Sequence, residues 1–308
     1  MATFLLHLLL LSVFSGVTGR TDLLRPPRIT LAAEASVAAP EPTKEEPSGP
    51  RKIDEASLGV KLTAPSAALI DTRSGEVLFS QGDDRIVPIA SITKLMTAMA
   101  LLDMKPDWSK AVTIESGDNA LAGIQYLRVG DRLATDDMFD VMLVGSANNA
   151  AMALSRSLGV TREAFVARMN SKARELGLFH TIFTDPTGYG PENVSTSMDV
   201  ARLAFAALER PEIREALTRK EFVARTEAGV ERRVPATNEL LGSFLNEGES
   251  AVVGGKTGYT EEAGYTLVLR AKKGEADVIA VTLGSATSED RFQDAKSLLF
   301  WGFKTFSW

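Results

Sequence analysis

The chain of 308 residues has no cysteine and only two histidines. Without cysteine there is no disulfide, no thiol nucleophile, no cysteine-ligated zinc and no lipid-modified N-terminal cysteine. One histidine, His7, lies in an N-terminal apolar run, which leaves His180 for a mature protein. A Ser-His-Asp triad would have to use that single residue, and a histidine-rich metal centre is not available. If the protein is a serine enzyme, lysine is the base the composition offers. Runs of Lys or Arg are also lacking. With a formal net charge of -6, the chain is not built to grip a phosphate backbone, so nucleic acid is not an expected partner. Hydrophobic residues make up 44% of the chain, enough for a sizeable core rather than wholesale disorder.

Residues 4–17 form an apolar run, Phe-Leu-Leu-His-Leu-Leu-Leu-Leu-Ser-Val-Phe-Ser-Gly-Val. It is short for a membrane span and has the character of a secretory signal core followed by small residues up to Gly19, although no Lys or Arg precedes it. Residues 1–19 are therefore expected to be a signal peptide, or an anchor that tethers the chain to a membrane if uncleaved. The protein is expected to be exported to the periplasm or another extracytoplasmic space. Residues 20–58, with Pro40, Pro42, Pro47 and Pro50 and no periodicity, read as a linker. The folded domain is assigned to residues 59–308.

Within it, apolar segments 67–70 and 76–79 flank Asp71-Thr-Arg-Ser-Gly75 as a hairpin. A helix is expected from Ser91, with Ile92, Leu95, Met96, Met99 and Leu102 on one buried face. Thr135 and Thr161 are expected to cap two further helices, and Ser197 a third. A helix over 149–158 lies among them. Hairpins follow at 222–234 and 264–283, and a C-terminal helix starts at Ser288 with an apolar face assigned to the core. Strands, then helices, then strands predict an α+β domain, in which an antiparallel sheet flanked by helices carries an inserted helical lobe.

Three short motifs fall in order on helix, inter-helix loop and strand: Ser91-Ile-Thr-Lys94, Ser146-Ala-Asn148 and Lys256-Thr-Gly258. At helical spacing Ser91 and Lys94 lie on one face, so the amine can serve the hydroxyl as a base. Each motif also has a plain structural reading. Ser91 and Lys94 fit a capped core helix with a snorkelling lysine, Ser146-Ala-Asn148 a helix N-cap, and Lys256-Thr-Gly258 an ordinary strand entry. The sequon Asn193-Val-Ser195, next to Thr196, reads as a turn leading into a helix, and His180 as structural or exposed rather than catalytic.

Taken together, the three motifs resemble those of the penicillin-binding proteins and serine β-lactamases. More closely, the chain is similar to the low-molecular-weight D-alanyl-D-alanine carboxypeptidases, serine peptidases of the SxxK type. The likeness runs from about Pro65 to Phe303. It takes in 88–99, 169–177, Asp185-Pro-Thr-Gly188, Asn193-Val-Ser-Thr196, 254–265 and Leu298-Leu-Phe-Trp-Gly302. It implies that Ser91 attacks a D-Ala-D-Ala peptide bond to form an acyl-enzyme and that Lys94 takes its proton. Ser146 would relay a proton to the leaving amine, and Asn148 would hold the substrate's backbone amide. Lys256 and Thr257 would face the terminal carboxylate, with Gly258 allowing close approach. The amides of Ser91 and Tyr259 would form the oxyanion hole. The implied partners are peptidoglycan stem peptides and β-lactams acting as covalent inhibitors. No metal or organic cofactor is implied.

Two departures qualify the resemblance. The Glu-x-x-Leu-Asn segment with which class A β-lactamases activate a deacylating water is missing after Asn148, so slow release of bound penicillin is expected. Ala286 stands where some carboxypeptidases place an arginine for the terminal carboxylate. The chain also ends at Trp308, soon after the catalytic domain, as in relatives that cut cross-links. The expected activity is carboxypeptidase. A D,D-endopeptidase is the first alternative, and a non-catalytic wall- or penicillin-binding protein the second.

Overall fold

The computed structural model describes residues 49–308 apart from 121, 122 and 124. The expected signal or anchor at 1–19, the tether at 4–17 and the linker up to residue 48 lie outside the described residues. Among the described residues, no helix is long and apolar enough to cross a membrane.

One five-stranded antiparallel sheet organises the domain. Its strands are β1 (Ser66–Asp71), β2 (Val77–Gln81), β3 (Ser250–Thr260), β4 (Gly264–Lys273) and β5 (Ala276–Ser285), in the spatial order β3-β4-β5-β1-β2. Strands from both ends of the domain thus share one sheet, and β3 is an edge. Strand periodicity of two separates the faces. Leu267, Leu269, Val278 and Ala280 pack with Phe292, Ala295, Leu298 and Leu299 on one side. Val268, Ile279, Val281 and Leu283 join the core of the helical lobe on the other.

Among the described residues, seven α-helices accompany the sheet: α1 (Thr93–Asp103), α2 (Thr135–Val144), α3 (Asn148–Ser157), α4 (Arg162–Glu175), α5 (Ser197–Leu208), α6 (Pro211–Thr218) and α7 (Ser288–Thr305). The α+β architecture with an inserted helical lobe is the one expected from the sequence. Several local details differ. Helix α1 is preceded by a 3-10 turn over Ala90–Ile92, and it buries Thr93 to Leu102 on every side rather than one face. Thr97, Ala98 and Ala100 form a second face small enough for neighbouring elements to cover. Thr135 is the first residue of α2 and donates its hydroxyl to the Lys110 carbonyl (2.8 Å) instead of capping. Thr161 does cap α4, whereas Thr196, one residue before Ser197, caps α5 through the Asp199 amide. Helix α6, with Pro211 at its start, was not expected from the pattern, although proline suits that position.

The domain begins earlier than its composition suggests. Arg51–Lys52 pairs antiparallel with Phe306–Ser307. The indole N–H of Trp301 donates to Ser57 Oγ at 2.7 Å. Part of the proline-rich stretch is therefore held against the end of α7 by main-chain pairing, which composition does not reveal.

Candidate active site

Three elements meet at one end of the helical lobe: the turn entering α1, the α2–α3 connection and the edge strand β3. The backbone is strained at the first two. Ala90 (φ 48°) and Ser146 (φ 61°) adopt left-handed conformations that side chains other than glycine rarely take. Each residue sits at a sharp change of chain direction, a placement common where a functional side chain must project into a cleft.

Lys94 is completely buried. Its Nζ lies 2.8 Å from Ser91 Oγ, 2.8 Å from Asn148 Oδ1 and 2.9 Å from the Thr187 carbonyl. Asn148 Oδ1 and the Thr187 carbonyl can only accept. A neutral amine has two N–H bonds and one lone pair, so these two acceptors take both hydrogens and aim the lone pair at the Ser91 hydroxyl. Burial pulls the Lys94 ammonium from 10.5 down to about 7, while the Asp185 carboxylate acts the other way. An amine poised near neutrality and facing a hydroxyl is a general base in position.

The loop that supplies the Thr187 carbonyl is built by Asp185. Its carboxylate accepts the backbone N–H groups of Thr187 (2.6 Å), Gly188 (2.9 Å) and Gly190 (3.1 Å). Against the opposing effect of burial, the Thr187 hydroxyl and these backbone bonds hold Asp185 below the ordinary carboxylate range. The Thr97 hydroxyl donates to the Pro186 carbonyl at 2.6 Å and fastens the loop to α1. Gly188 (φ 78°) has no room for a side chain: a Cβ there would lie 1.9 Å from the Ala90 carbonyl oxygen. The physical work of Asp185-Pro-Thr-Gly188 is to present an acceptor to Lys94.

Lys256, 1% exposed, is the second buried lysine. Its Nζ donates to Ser146 Oγ (2.8 Å) and to the Thr257 carbonyl (2.9 Å). Burial lowers its pKa well below the ordinary lysine value, and the positive charges of Lys94 and Arg291 lower it further. The Thr257 hydroxyl donates to Thr237 Oγ1 at 2.6 Å. Gly258 lies against the nucleophile, because a Cβ there would come within 2.5 Å of Thr266 Oγ1 and 2.9 Å of the Ser91 backbone nitrogen. Tyr259 is half exposed, with its ring stacked on Tyr265 at 4.3 Å between centroids.

Ser91, Ser146, Asn148, Thr257, Gly258 and Tyr259 line one cleft of about 690 Å3. Lys94 and Lys256 lie beneath its floor, bonded to the two serines. All eight residues singled out from the sequence are thus brought together. His180 is elsewhere, its imidazole exposed and 4.0 Å from Asp199. Asn193 is fully buried and bonded to the Gly190 carbonyl (3.1 Å), which fits the turn reading of the sequon. Cleft residues that went unmarked in the sequence include Thr237, Tyr189 and Arg291. Arg291 follows the first turn of α7 and returns over β3, a reach for which the sequence carries no motif. Another hollow of about 440 Å3 is lined mainly by apolar residues, among them Ile70, Phe205 and Ile279, together with Asp71, Thr72 and Arg202. Among the described residues, no cluster of His, Asp or Glu could hold a metal.

The chain is similar to proteins of known identity over most of its length. It is 35% identical to a D-alanyl-D-alanine endopeptidase of Pseudomonas aeruginosa over 247 residues, covering 79% of this chain and 78% of the relative. It is also 35% identical to a D-alanyl-D-alanine carboxypeptidase of Escherichia coli, but spans only 60% of that protein. Among solved structures, the Streptomyces K15 DD-transpeptidase matches with a TM-score of 0.72 at 28% identity, over 80% of this chain and all of that one. Penicillin-binding protein D2 of Listeria monocytogenes, in its ampicillin-bound form, matches with a TM-score of 0.69 at 31% identity, with the same coverage. The profile of the D-alanyl-D-alanine carboxypeptidase family matches residues 52–287, and the chain belongs to that family of serine peptidases.

Proposed function

We propose that the protein hydrolyses D-alanyl peptide bonds of peptidoglycan through an acyl-enzyme on Ser91. The observation that carries this reading is the environment of Lys94, whose two acceptors leave a lone pair for the Ser91 hydroxyl. Ser91 Oγ adds to the carbonyl carbon of the penultimate D-Ala as its proton passes to Lys94 Nζ. The oxyanion forms between the amides of Ser91 and Tyr259. As the C–N bond breaks, Ser146 passes its proton to the departing amine and is reprotonated by Lys256, which donates a hydrogen bond to it. Water then cleaves the Ser91 ester and restores the hydroxyl. Asn148 positions the substrate amide, and Lys256 and Thr257 bias the cleft towards a carboxylate.

The favoured substrate is a stem peptide ending in D-Ala-D-Ala, with loss of the terminal D-Ala. β-Lactams acylate the same serine and leave slowly. Cleavage of D,D cross-links is the second reading, favoured by Ala286 at the position expected for a carboxylate-gripping arginine and by the endopeptidase name of the Pseudomonas relative. Digesting purified muropeptides and weighing the products separates the two. Loss of one alanine from pentapeptides supports the carboxypeptidase, and conversion of cross-linked dimers to monomers supports the endopeptidase. A non-catalytic role is not favoured, because binding alone has no use for a neutral lysine aimed at a serine. A cross-linked wall substrate lies outside the cytoplasm, which supports an exported location and is consistent with the signal expected at residues 1–19.

A further inference from the structure

Arg291 is a half-buried cation whose bonding pattern is unusual for its surroundings. Its Nη1 donates to the Gly258 carbonyl at 3.2 Å and its Nη2 to Ser288 Oγ at 3.1 Å. The guanidinium carbon lies 4.7 Å from the Phe292 ring centroid and 5.3 Å from that of Tyr265. Its Nε is buried and has no partner among the described residues. Burial lowers its pKa, with Glu239 opposing, yet a guanidinium keeps its charge. A desolvated cation that rests on a backbone carbonyl and aromatic rings, with Glu289 and Asp290 beside it in sequence, has a use for that carbonyl.

The carbonyl in question is the other end of the Tyr259 amide. Carbonyl and N–H of one trans peptide point in opposite directions, and none of the described peptides is cis. With its oxygen held by Arg291, the Gly258–Tyr259 peptide turns the Tyr259 N–H away from α7. Gly258 also packs so close to the nucleophile that a Cβ on it would lie 2.9 Å from the Ser91 backbone nitrogen. We propose that Arg291 is a positioning residue for the oxyanion hole: it pins and polarises the Gly258–Tyr259 peptide so that the Tyr259 and Ser91 amides converge on the developing oxyanion. Hydrogen bonds in a chain strengthen one another by roughly 10–30% per bond, and a full charge on the carbonyl end drives the same polarisation. The inference rests on the acyl-enzyme reading above.

The test uses the full chain with Arg291→Gln and Arg291→Lys, each checked for folding by thermal melting. Two acylating probes are compared across concentrations: a fluorescent penicillin, which carries a carboxylate, and an N-acyl-D-Ala thioester with a neutral leaving group, which does not. Removing a whole oxyanion donor costs about 100- to 1,000-fold, so a misaligned one should cost about tenfold. The expected result for Arg291→Gln is that fall in the saturating acylation rate with both probes, with half-saturating concentrations unchanged and partial rescue by Arg291→Lys. If Arg291→Gln fails to fold, a smaller fall of the same kind in Arg291→Lys carries the test. A loss confined to the penicillin's half-saturating concentration makes Arg291 a carboxylate grip and overturns the proposal, as do variants that acylate like the wild type. Wild-type protein that reacts with neither probe overturns the acyl-enzyme reading itself.

Discussion

The protonation state of Lys94 should set the pH dependence of acylation. At its ordinary value of 10.5, about one lysine in three thousand would be neutral at pH 7. With the folded value at about 7, half are neutral, a gain in competent base of roughly a thousandfold. The sign is fixed, because the base form is the deprotonated one and the rate rises with pH. Two units below the break about 1% of the amine is neutral, and two units above nearly all is. Stopped-flow acylation by a fluorescent penicillin should therefore rise about 50- to 100-fold between pH 5 and pH 8.5, bend near pH 7 and then level off. Lys256 shares the cleft and also has a depressed pKa, so the break belongs to the coupled pair rather than to one residue. Asp185 holds the Lys94 value up, so Asp185→Asn should move the break to lower pH. A profile flat from pH 5.5 to 8.5, or one still climbing at pH 9.5, would refute the assignment of Lys94 as the base. So would an Asp185→Asn break displaced upward.

Two further outcomes follow from the same geometry. Between the folded Lys94 value of about 7 and the unfolded 10.5, the unfolded chain binds the extra proton, so stability should rise with pH by up to about 1.4 kcal/mol per unit. Lys94→Met removes that group, so melting curves at pH 7.5 and 9.5 should show a rise in Tm that is several degrees larger in the wild type; equal rises would argue against a buried, depressed lysine. Gly258→Ala places a methyl 2.9 Å from the Ser91 nitrogen and 2.5 Å from Thr266 Oγ1. Because the strand must withdraw from the nucleophile, acylation should fall by about 100-fold or more, the order expected when an oxyanion donor is displaced. Labelling at the wild-type rate would show that the strand is not held in contact with Ser91.

Motif spacing made the site legible where the chemistry is local. Ser91 and Lys94 lie one turn apart on a single element, and their pairing could be read from the sequence. The orientation of the Lys94 lone pair could not, because its two acceptors come from residues 54 and 93 positions away and one is a main-chain carbonyl. Arg291 escaped for a similar reason: its partner is the backbone of β3, which places no demand on sequence. The hairpins at 66–81 and 264–285 were legible from alternation and turn residues. Burial of α1 on all sides was not, because Thr97, Ala98 and Ala100 resemble a polar or neutral face until α3, α4 and α5 pack around them. The docking of residues 51–57 depends on pairing with the last residues of the chain, and proline content concealed it.

The central claim is that Ser91 is the acylated residue. It is tested most directly by incubating the protein with a β-lactam and measuring intact mass, followed by peptide mapping. The wild type should gain the mass of one penicilloyl group, carried on the peptide containing Ser91, and a folded Ser91→Ala variant should gain none. A folded wild type that stays unmodified, or an adduct that persists in Ser91→Ala, would contradict the account.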